Sequence, residues 1–368
     1  VYAAQGISVK LSALHPRYDY AQHDQVMAEL FPRVLELAVL AKKYGLGFTI
    51  DAEEARRLDV SLDIFEALAR HEALQDWQGL GLVIQAYQKR APFVVDWIVA
   101  LARETGRRLM IRLVKGAYWD TEIKRAQELG LADYPVYTRK ASTDLSYLVC
   151  AERLLAAPDA VFPQFATHNA HTIASVVELA GTSRDFEFQR LHGMGELLYG
   201  QVWQQLGEGW PVRVYAPVGA HKDLLPYLVR RLLENGANSS FVNRFMDDDV
   251  PVEDIVRDPV ELVEAAKPFR HPKIPVPRDM LRASGLAGGG RDDAHGIELS
   301  DPLAVEPLLK DMHSAMNEKW LAAPIIGGKP QKGDAEPVFN PAQTDRQVGT
   351  CIATTAEHRQ KALDLAVN

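Results

Sequence analysis

Seven short β-rich runs, at residues 7–11, 47–51, 81–85, 109–114, 163–167, 186–191 and 212–216, are separated by segments long enough to hold a helix. This alternation restricts the fold severely, because successive parallel strands need a crossover and a helix usually makes it. The spacing predicts amphipathic helices over 24–44, 61–70, 92–105, 144–157 and 172–180. In the first, Val26, Leu30, Val34, Leu37 and Leu40 recur at helical intervals. Gly45, Gly106 and Gly181 follow three of these segments, where glycine commonly ends a helix. Runs such as Leu82-Val-Ile and Leu109-Met-Ile suit strands covered on both faces.

Polar residues fall late in each run or just after it. They are Lys10, Asp51, Gln85, Arg112 and Lys115, then Thr167, His168 and Asn169, then Gln189 and His192, and finally Tyr215. One such residue is usually hydrogen-bonded structure. Repeated at seven strand ends, they point to a shared site, because in a βα barrel those ends line one face. Seven strands are one short of a closed eight-strand barrel. The expectation is an α/β, TIM-like (βα)8 barrel lacking its first strand, whose outer strands then carry unpaired edges.

The run from Asp223 to Gly236 follows the last strand and reads as a helix. It puts Tyr227, Arg230, Arg231 and Glu234 at i, i+3, i+4 and i+7, on one face. Leu225, Leu228, Val229 and Leu232 form a second, apolar face. Adjacent guanidinium groups match carboxylate oxygens bidentately, so this face is a candidate anion clamp. The plainer alternative is a solvated surface with an Arg–Glu pair.

The chain has 368 residues, 47% of them apolar, which exceeds one ordinary domain unless most of it is a barrel. A formal net charge of −8 argues against nucleic-acid binding. Cys150 and Cys351 are the two cysteines, too few for a disulfide framework or a thiolate metal cluster. No apolar run reaches the roughly 18–20 residues of a membrane span, and no signal peptide opens the chain. The first residue is Val and the last eight stop inside a helical pattern, so both ends are expected to be cuts in a longer protein. After Phe245 the chain turns acidic and rich in proline. Residues 268–278 read as an extended connector, 285–293 as a loop, and 303–320 as a helix. Ala323-Pro-Ile-Ile-Gly-Gly-Lys-Pro and Pro337-Val-Phe-Asn-Pro-Ala read as strand-turn pieces of a further, incomplete domain.

Several stretches together resemble a known family: Ser8-Val-Lys-Leu-Ser-Ala-Leu-His-Pro-Arg-Tyr18, Gln85-Ala-Tyr-Gln-Lys-Arg90, Arg112-Leu-Val-Lys-Gly-Ala-Tyr-Trp-Asp120, Phe165-Ala-Thr-His-Asn-Ala-His171 and Tyr227-Leu-Val-Arg-Arg-Leu-Leu-Glu-Asn-Gly-Ala-Asn238. They are similar to the proline dehydrogenase barrel of the bifunctional proline utilization A family. The resemblance implies a barrel over 1–245, a linker over 246–300 and the truncated start of an aldehyde dehydrogenase domain over 301–368. It implies FAD-dependent oxidation of L-proline to Δ1-pyrroline-5-carboxylate, with hydride passing to flavin N5 and electrons to a membrane quinone. NAD belongs only to the missing second half. It also implies a homo-oligomeric parent, in the cytoplasm with peripheral contact at the inner face of the bacterial membrane. No nucleic-acid contact and no metal are expected from this stretch.

By the same resemblance, Arg230, Arg231 and Lys10 bind the proline carboxylate, with Asp51 supporting the lysine. Tyr118, Leu191, Tyr215 and Tyr227 wall the ring. Gln85, Arg112, Val114, Lys115, Gly116, Ala117 and Trp119 surround the flavin, with Arg112 on its N5 side. Thr138, Arg139 and Lys140 lie near its pyrophosphate and ribose; Thr167, His168, Asn169, Gln189 and Glu234 are also flavin-side. For each the plain reading is ordinary packing or a solvated surface. His168 and His171 stand three apart, but no third metal ligand has suitable spacing. Gly193-Met-Gly195 is too short for a dinucleotide-binding fingerprint. Two alternatives stay open: a Schiff-base lyase using Lys115, and a barrel fragment without activity.

Overall fold

The computed structural model describes residues 2–207, 210–222, 224–225, 227–229, 251, 253, 256–280, 295–316, 318 and 320–367. They belong to two compact units, Val1–Asp301 and Pro302–Asn368. In the first unit, β1 (Gly6–Val9), β2 (Gly47–Ile50), β3 (Leu80–Gln85), β4 (Leu109–Val114), β5 (Val161–Ala166), β6 (Glu187–Leu191) and β7 (Val212–Tyr215) form one sheet in chain order. Every neighbouring pair is parallel. Each of the seven runs expected to be strands is one.

The sheet is curled. Arg112 of β4 donates to Ser8 of β1 at 3.0 Å, although three strand spacings on a flat sheet would part them by about 14 Å. Arg213 of β7 donates to the carbonyl oxygen of Ala4, just ahead of β1, at 2.6 Å; a flat sheet would put these strands about 29 Å apart. The result is a seven-stranded α/β half-barrel.

Strand periodicity sorts the side chains onto its two faces. Phe48, Ile50, Leu80, Leu82, Ile84, Leu109, Ile111, Leu113, Val161, Phe165 and Phe188 join the main core. On the convex side they meet α1 (His23–Lys43), α2 (Leu58–Arg70), α3 (Ala91–Thr105) and α5 (Lys140–Leu155), which contribute residues such as Leu30, Ile64, Ile98 and Tyr147. Each large apolar side chain buried there contributes about 1.5–3 kcal/mol. The alternate phase is Ser8, Thr49, Asp51, Gln85, Arg112, Gln164, Glu187, Gln189, Arg213 and Tyr215. It lines the concave face.

At the amino ends of the strands, the Tyr2 ring stacks on Phe162 with centroids 4.4 Å apart. Helices α4 (Trp119–Glu128), α6 (Ala170–Ala180) and α7 (Glu196–Leu206) complete the crossovers; α4 and α7 were not expected from the sequence. Further along, residues 221–222, 224–225 and 227–229 are helical. Arg230, Arg231 and Glu234 lie outside the described residues, as does the expected loop at 285–293.

The stretch read as an extended connector, 268–278, makes specific contacts. Helix α8 (Pro259–Ala265) precedes it, and 266–280 runs against the 118–140 region. Tyr134 OH donates to Pro275 O at 2.8 Å, and Ile274 packs on a small core of Tyr87, Ile123, Ala126, Leu131, Tyr134 and Val136. Arg125 is ion-paired to Glu298.

In the second unit, α9 (Pro302–Ala315) precedes β8 (Trp320–Ala322), so the helix expected to reach Trp320 ends at Ala315. β9 (Ile325–Ile326) and β10 (Lys329–Pro330) pair antiparallel. β12 (Gln343–Ile352) pairs antiparallel with β11 (Ala335–Asn340) and parallel with β8. Helix α10 (Ala356–Val367) follows. Among the described residues no helix is long and apolar enough to cross a membrane.

Candidate active site

Five of the seven strands, β1, β2, β4, β6 and β7, bring polar side chains into one connected set. Arg112 is its hub. Its Nη1 donates to Asp51 Oδ1 at 2.8 Å and to Ser8 Oγ at 3.0 Å, and its Nε donates to Gln189 Oε1 at 2.7 Å. Ser8 Oγ donates to the same Asp51 oxygen at 2.6 Å. The Arg112 and Asp51 side chains are 11% and 13% exposed, so their charges are largely desolvated and depend on each other.

Tyr215 OH donates to the other Asp51 oxygen at 3.3 Å, and the Tyr215 ring lies under the Arg112 guanidinium, 5.2 Å from its centroid. Burial, and then the negative charge of Asp51, push the Tyr215 phenol well above its ordinary range. It therefore stays a neutral donor. Tyr227 lies close enough for its phenol to act electrostatically on that of Tyr215.

Lys10 follows β1 and donates from Nζ to Tyr118 OH at 2.7 Å, with its ammonium 5.5 Å from the ring centroid. Lys10 thus pairs with a phenol, whereas the expected support from Asp51 goes to Arg112 instead. The curl explains this, since it turns the Asp51 carboxylate toward β4. Gln85 ends β3 and donates to Glu53 O at 2.8 Å.

The β4–α4 turn carries Val114, Lys115, Gly116 and Ala117. Gly116 has φ of +136°, and a Cβ there would lie 2.4 Å from the Tyr87 ring. Only glycine lets the turn pass this close. Lys115 is ion-paired to Asp144 of α5. Burial lowers the Lys115 value; burial alone would raise that of Asp144, but the charges of Lys115 and Lys140 bring it below the usual carboxylate range. Trp119 opens α4 and donates from Nε1 to Tyr137 O at 2.8 Å.

Thr138 and Arg139 precede α5, and Lys140 begins it. Thr138 Oγ1 accepts from His271 N at 3.0 Å, and Arg139 Nη2 donates to Pro268 O at 3.3 Å. Arg139 Nε is buried without a hydrogen-bond partner among the described residues. It stands beside the free amides of a helix N-terminus, a combination suited to a phosphate group.

Past β5, the Thr167 carbonyl accepts from Tyr199 OH at 2.9 Å, and Asn169 caps α6 by accepting from Thr172 N at 3.1 Å. Leu191 N donates to His168 Nε2 at 3.1 Å, which leaves the His168 proton to Nδ1. Gly195, at φ of +71°, permits this: a Cβ there would lie 2.8 Å from His168 Cδ2. Among the described residues, no three His, Cys, Asp or Glu groups gather as a metal site.

The structure thus brings Asp51, Arg112, Gln189 and Tyr215 into one network, and Lys10 with Tyr118 into a second pair. It sets Thr138, Arg139 and Lys140 at a separate helix end. Ser8, Glu53 and Glu187 were missed as site residues. Ser8 and Glu187 each sit two residues from an expected one, Lys10 and Gln189, and so share its strand face. That period of two was the available signal.

The sequence model of the family described as "Proline dehydrogenase" matches residues 1–244. The chain is 51% identical over 380 residues to the "Bifunctional protein PutA" of Escherichia coli K12, a match covering 100% of this chain and 28% of that protein. The crystal structure of Bradyrhizobium japonicum proline utilization A mutant D779W is similar with a TM-score of 0.79 at 54% identity, over 84% of this chain and 31% of that one. The proline utilization A of Bdellovibrio bacteriovorus, inactivated by N-propargylglycine, is similar with a TM-score of 0.82 at 29% identity, over 97% of this chain and 36% of that one. The chain therefore spans under a third of the length of its first curated relatives. Half-barrel, strand-end network and family match agree: the chain belongs to the proline dehydrogenase family.

Proposed function

We propose that this chain oxidises L-proline to Δ1-pyrroline-5-carboxylate with FAD, as the first catalytic part of a longer bifunctional protein that also oxidises the aldehyde formed when water opens that imine. The observation that carries this reading is the Arg112–Asp51–Gln189–Tyr215 network on the concave face, in a chain whose first 244 residues match the family.

The described residues fit the cofactor. The unpartnered Arg139 Nε and the α5 N-terminus suit a pyrophosphate. Gln85, Val114, Lys115, Gly116, Ala117, Trp119, Thr167, His168, Asn169 and Gln189 would hold the remainder, joined by Glu234 from outside the described residues. Bound there, FAD supplies the acceptor for the hydride.

Lys10, Arg230 and Arg231 clamp the substrate carboxylate, because a desolvated anion needs paired cations. Tyr118, Leu191, Tyr215 and Tyr227 hold the ring and exclude water. In the reaction the C5–H bond breaks with its electron pair, the C5–N bond becomes double, and the nitrogen sheds its proton. The buried Arg112 cation stabilises negative charge on the electron-acceptor side. From bound FAD, these electrons would pass to a quinone at the inner face of the membrane. Residues 246–300 serve as a linker, and 301–368 begin an aldehyde dehydrogenase domain. The parent protein is a cytoplasmic homo-oligomer.

The test is direct. The purified chain, mixed with FAD and then desalted, is expected to stay yellow and to reduce an artificial electron acceptor when proline is added. A folded, flavin-loaded chain that leaves proline unchanged sinks the reading and favours an inactive fragment.

The Schiff-base alternative has one observation in its favour, since burial pulls the Lys115 value down. Against it, Asp144 neutralises that ammonium at contact distance. Borohydride trapping of a substrate on Lys115 would revive it.

A further inference from the structure

We propose that Glu187 is a positioning residue: it fixes which end of the Gln189 amide faces Arg112, and thereby the direction of the Arg112 Nε–H. Glu187 belongs to none of the groups assigned above. Its consequence for catalysis rests on the proposed flavin site, whereas the geometry itself does not.

Glu187 is buried, with 4% of its surface exposed. Three donors converge on its Oε1: Gln164 Nε2 at 2.8 Å, Gln189 Nε2 at 2.7 Å and Arg213 Nε at 2.7 Å. Arg213 Nη2 donates to Oε2 at 2.9 Å. An ionised carboxylate only accepts, so any amide beside it must turn its NH2 inward. Gln189 obeys, and its Oε1 then points outward to take the Arg112 Nε–H at 2.7 Å. Were the amide reversed, an NH2 would face an N–H and the contact would become repulsive.

Gln164 shows how strongly the carboxylate dictates polarity. Its NH2 also turns to Glu187, and this leaves its own Oε1 buried without a partner among the described residues. An unmade hydrogen bond of that kind is costly, so the pull of Glu187 outweighs it.

Arg112 is thereby held from two directions. Ser8 and Asp51 fix Nη1, and Gln189 fixes Nε. A planar guanidinium with both positions set cannot rotate about its long axis, which decides where its remaining N–H groups aim. Glu187 supplies this without touching Arg112.

The experiment compares Glu187→Gln with Gln189→Met in the full chain. A glutamine at 187 can donate to Gln189 Oε1 and so permits the reversed amide. The first readout is the Arg112 Nε–H NMR resonance of the flavin-free protein, assigned by its loss in Arg112→Lys. It is expected to shift in E187Q in the same direction as in Q189M, and the double variant is expected to shift no further than Q189M. An unmoved resonance in E187Q, or shifts that add, overturns the proposal. Where loss of the carboxylate leaves Arg213 unpaired and prevents folding, E187Q/R213M removes both charges and carries the same expectation.

The second readout is the midpoint potential of bound flavin, expected to become more negative in E187Q as the cation loses its aim. A resonance that moves while the potential does not supports the positioning role of Glu187. It counts against the place of Arg112 beside the flavin.

Discussion

Asp51 accepts from Ser8, Arg112 and Tyr215 at once, so one carboxylate ties β1, β4 and β7 to the end of β2. Replacing it with alanine strands a buried guanidinium, which costs about 3–5 kcal/mol. For Asp51→Ala we expect a large fall in Tm and loss of proline oxidation; Asp51→Asn keeps an acceptor and loses less, as thermal melts and acceptor-reduction assays would register. Glu122 is the opposite case. Burial raises its value above the ordinary carboxylate range, although Ala55 N donates to its Oε1 at 2.6 Å. A raised value means the folded chain holds the proton more tightly than the unfolded chain does. Its stabilising contribution is thus complete below the unfolded value and is lost as pH rises through the folded one. Glu122→Gln keeps the acceptor and removes the charge. Its Tm is expected to exceed that of the parent at pH 8, with the gain shrinking toward pH 4; a constant difference would refute this. The importance of Asp51 was legible from its place at a strand end. Its choice of Arg112 over Lys10 was not, because the curl of the sheet decides it. The Lys115–Asp144 pair was hidden for a similar reason: the partners are 29 residues apart.

At the scale of elements, the helices that the sequence revealed are those with a full apolar stripe. In α1 the buried face is Val26, Leu30, Val34, Ala38 and Ala41, so the expected stripe holds at its first three positions, while Leu40, also expected in it, is 48% exposed. Helix α4 escaped because it buries only Glu122, Ile123 and Ala126, too narrow a stripe to stand out among charges. The strap at 266–280 escaped because its holds are mostly backbone: Pro268 O, Pro275 O and His271 N. Through them it secures the segment bearing Thr138 and Arg139. Tyr134→Phe deletes one of these bonds and is expected to cost about 1 kcal/mol. Ile274→Asp puts a charge into the small core and is expected to cost about 3 kcal/mol or more. Limited proteolysis should cut 266–280 faster in both, and fastest in Ile274→Asp; equal rates in all three proteins would show that the strap is held elsewhere.

For the molecule as a whole, the order of the seven strands could be read in advance, because every crossover is long enough for at least one helix, the β4–β5 crossover holding two. Closure could not, since it depends on side chains meeting across the concave face. Arg213 is the clearest example. It joins Glu187 on the floor to the carbonyls of Ala4 and Tyr2 beside β1. Arg213→Ala should loosen that junction, and amide hydrogen exchange is expected to quicken in β1 and β7 while β3 and β4 stay protected. Uniform exchange across all strands would mean that the curl is held by the helices alone.

That junction also bears on how the protein tolerates company. Among the described residues, β1 and β7 each pair with a strand on one side only, and an unpaired strand edge can recruit a foreign strand. Here a guanidinium already occupies the carbonyls next to one of them. A visiting peptide that paired at those carbonyls, in either direction, would first have to displace Arg213. At the Tyr2 and Ala4 carbonyls, then, one side chain stands where a foreign strand would have to bond.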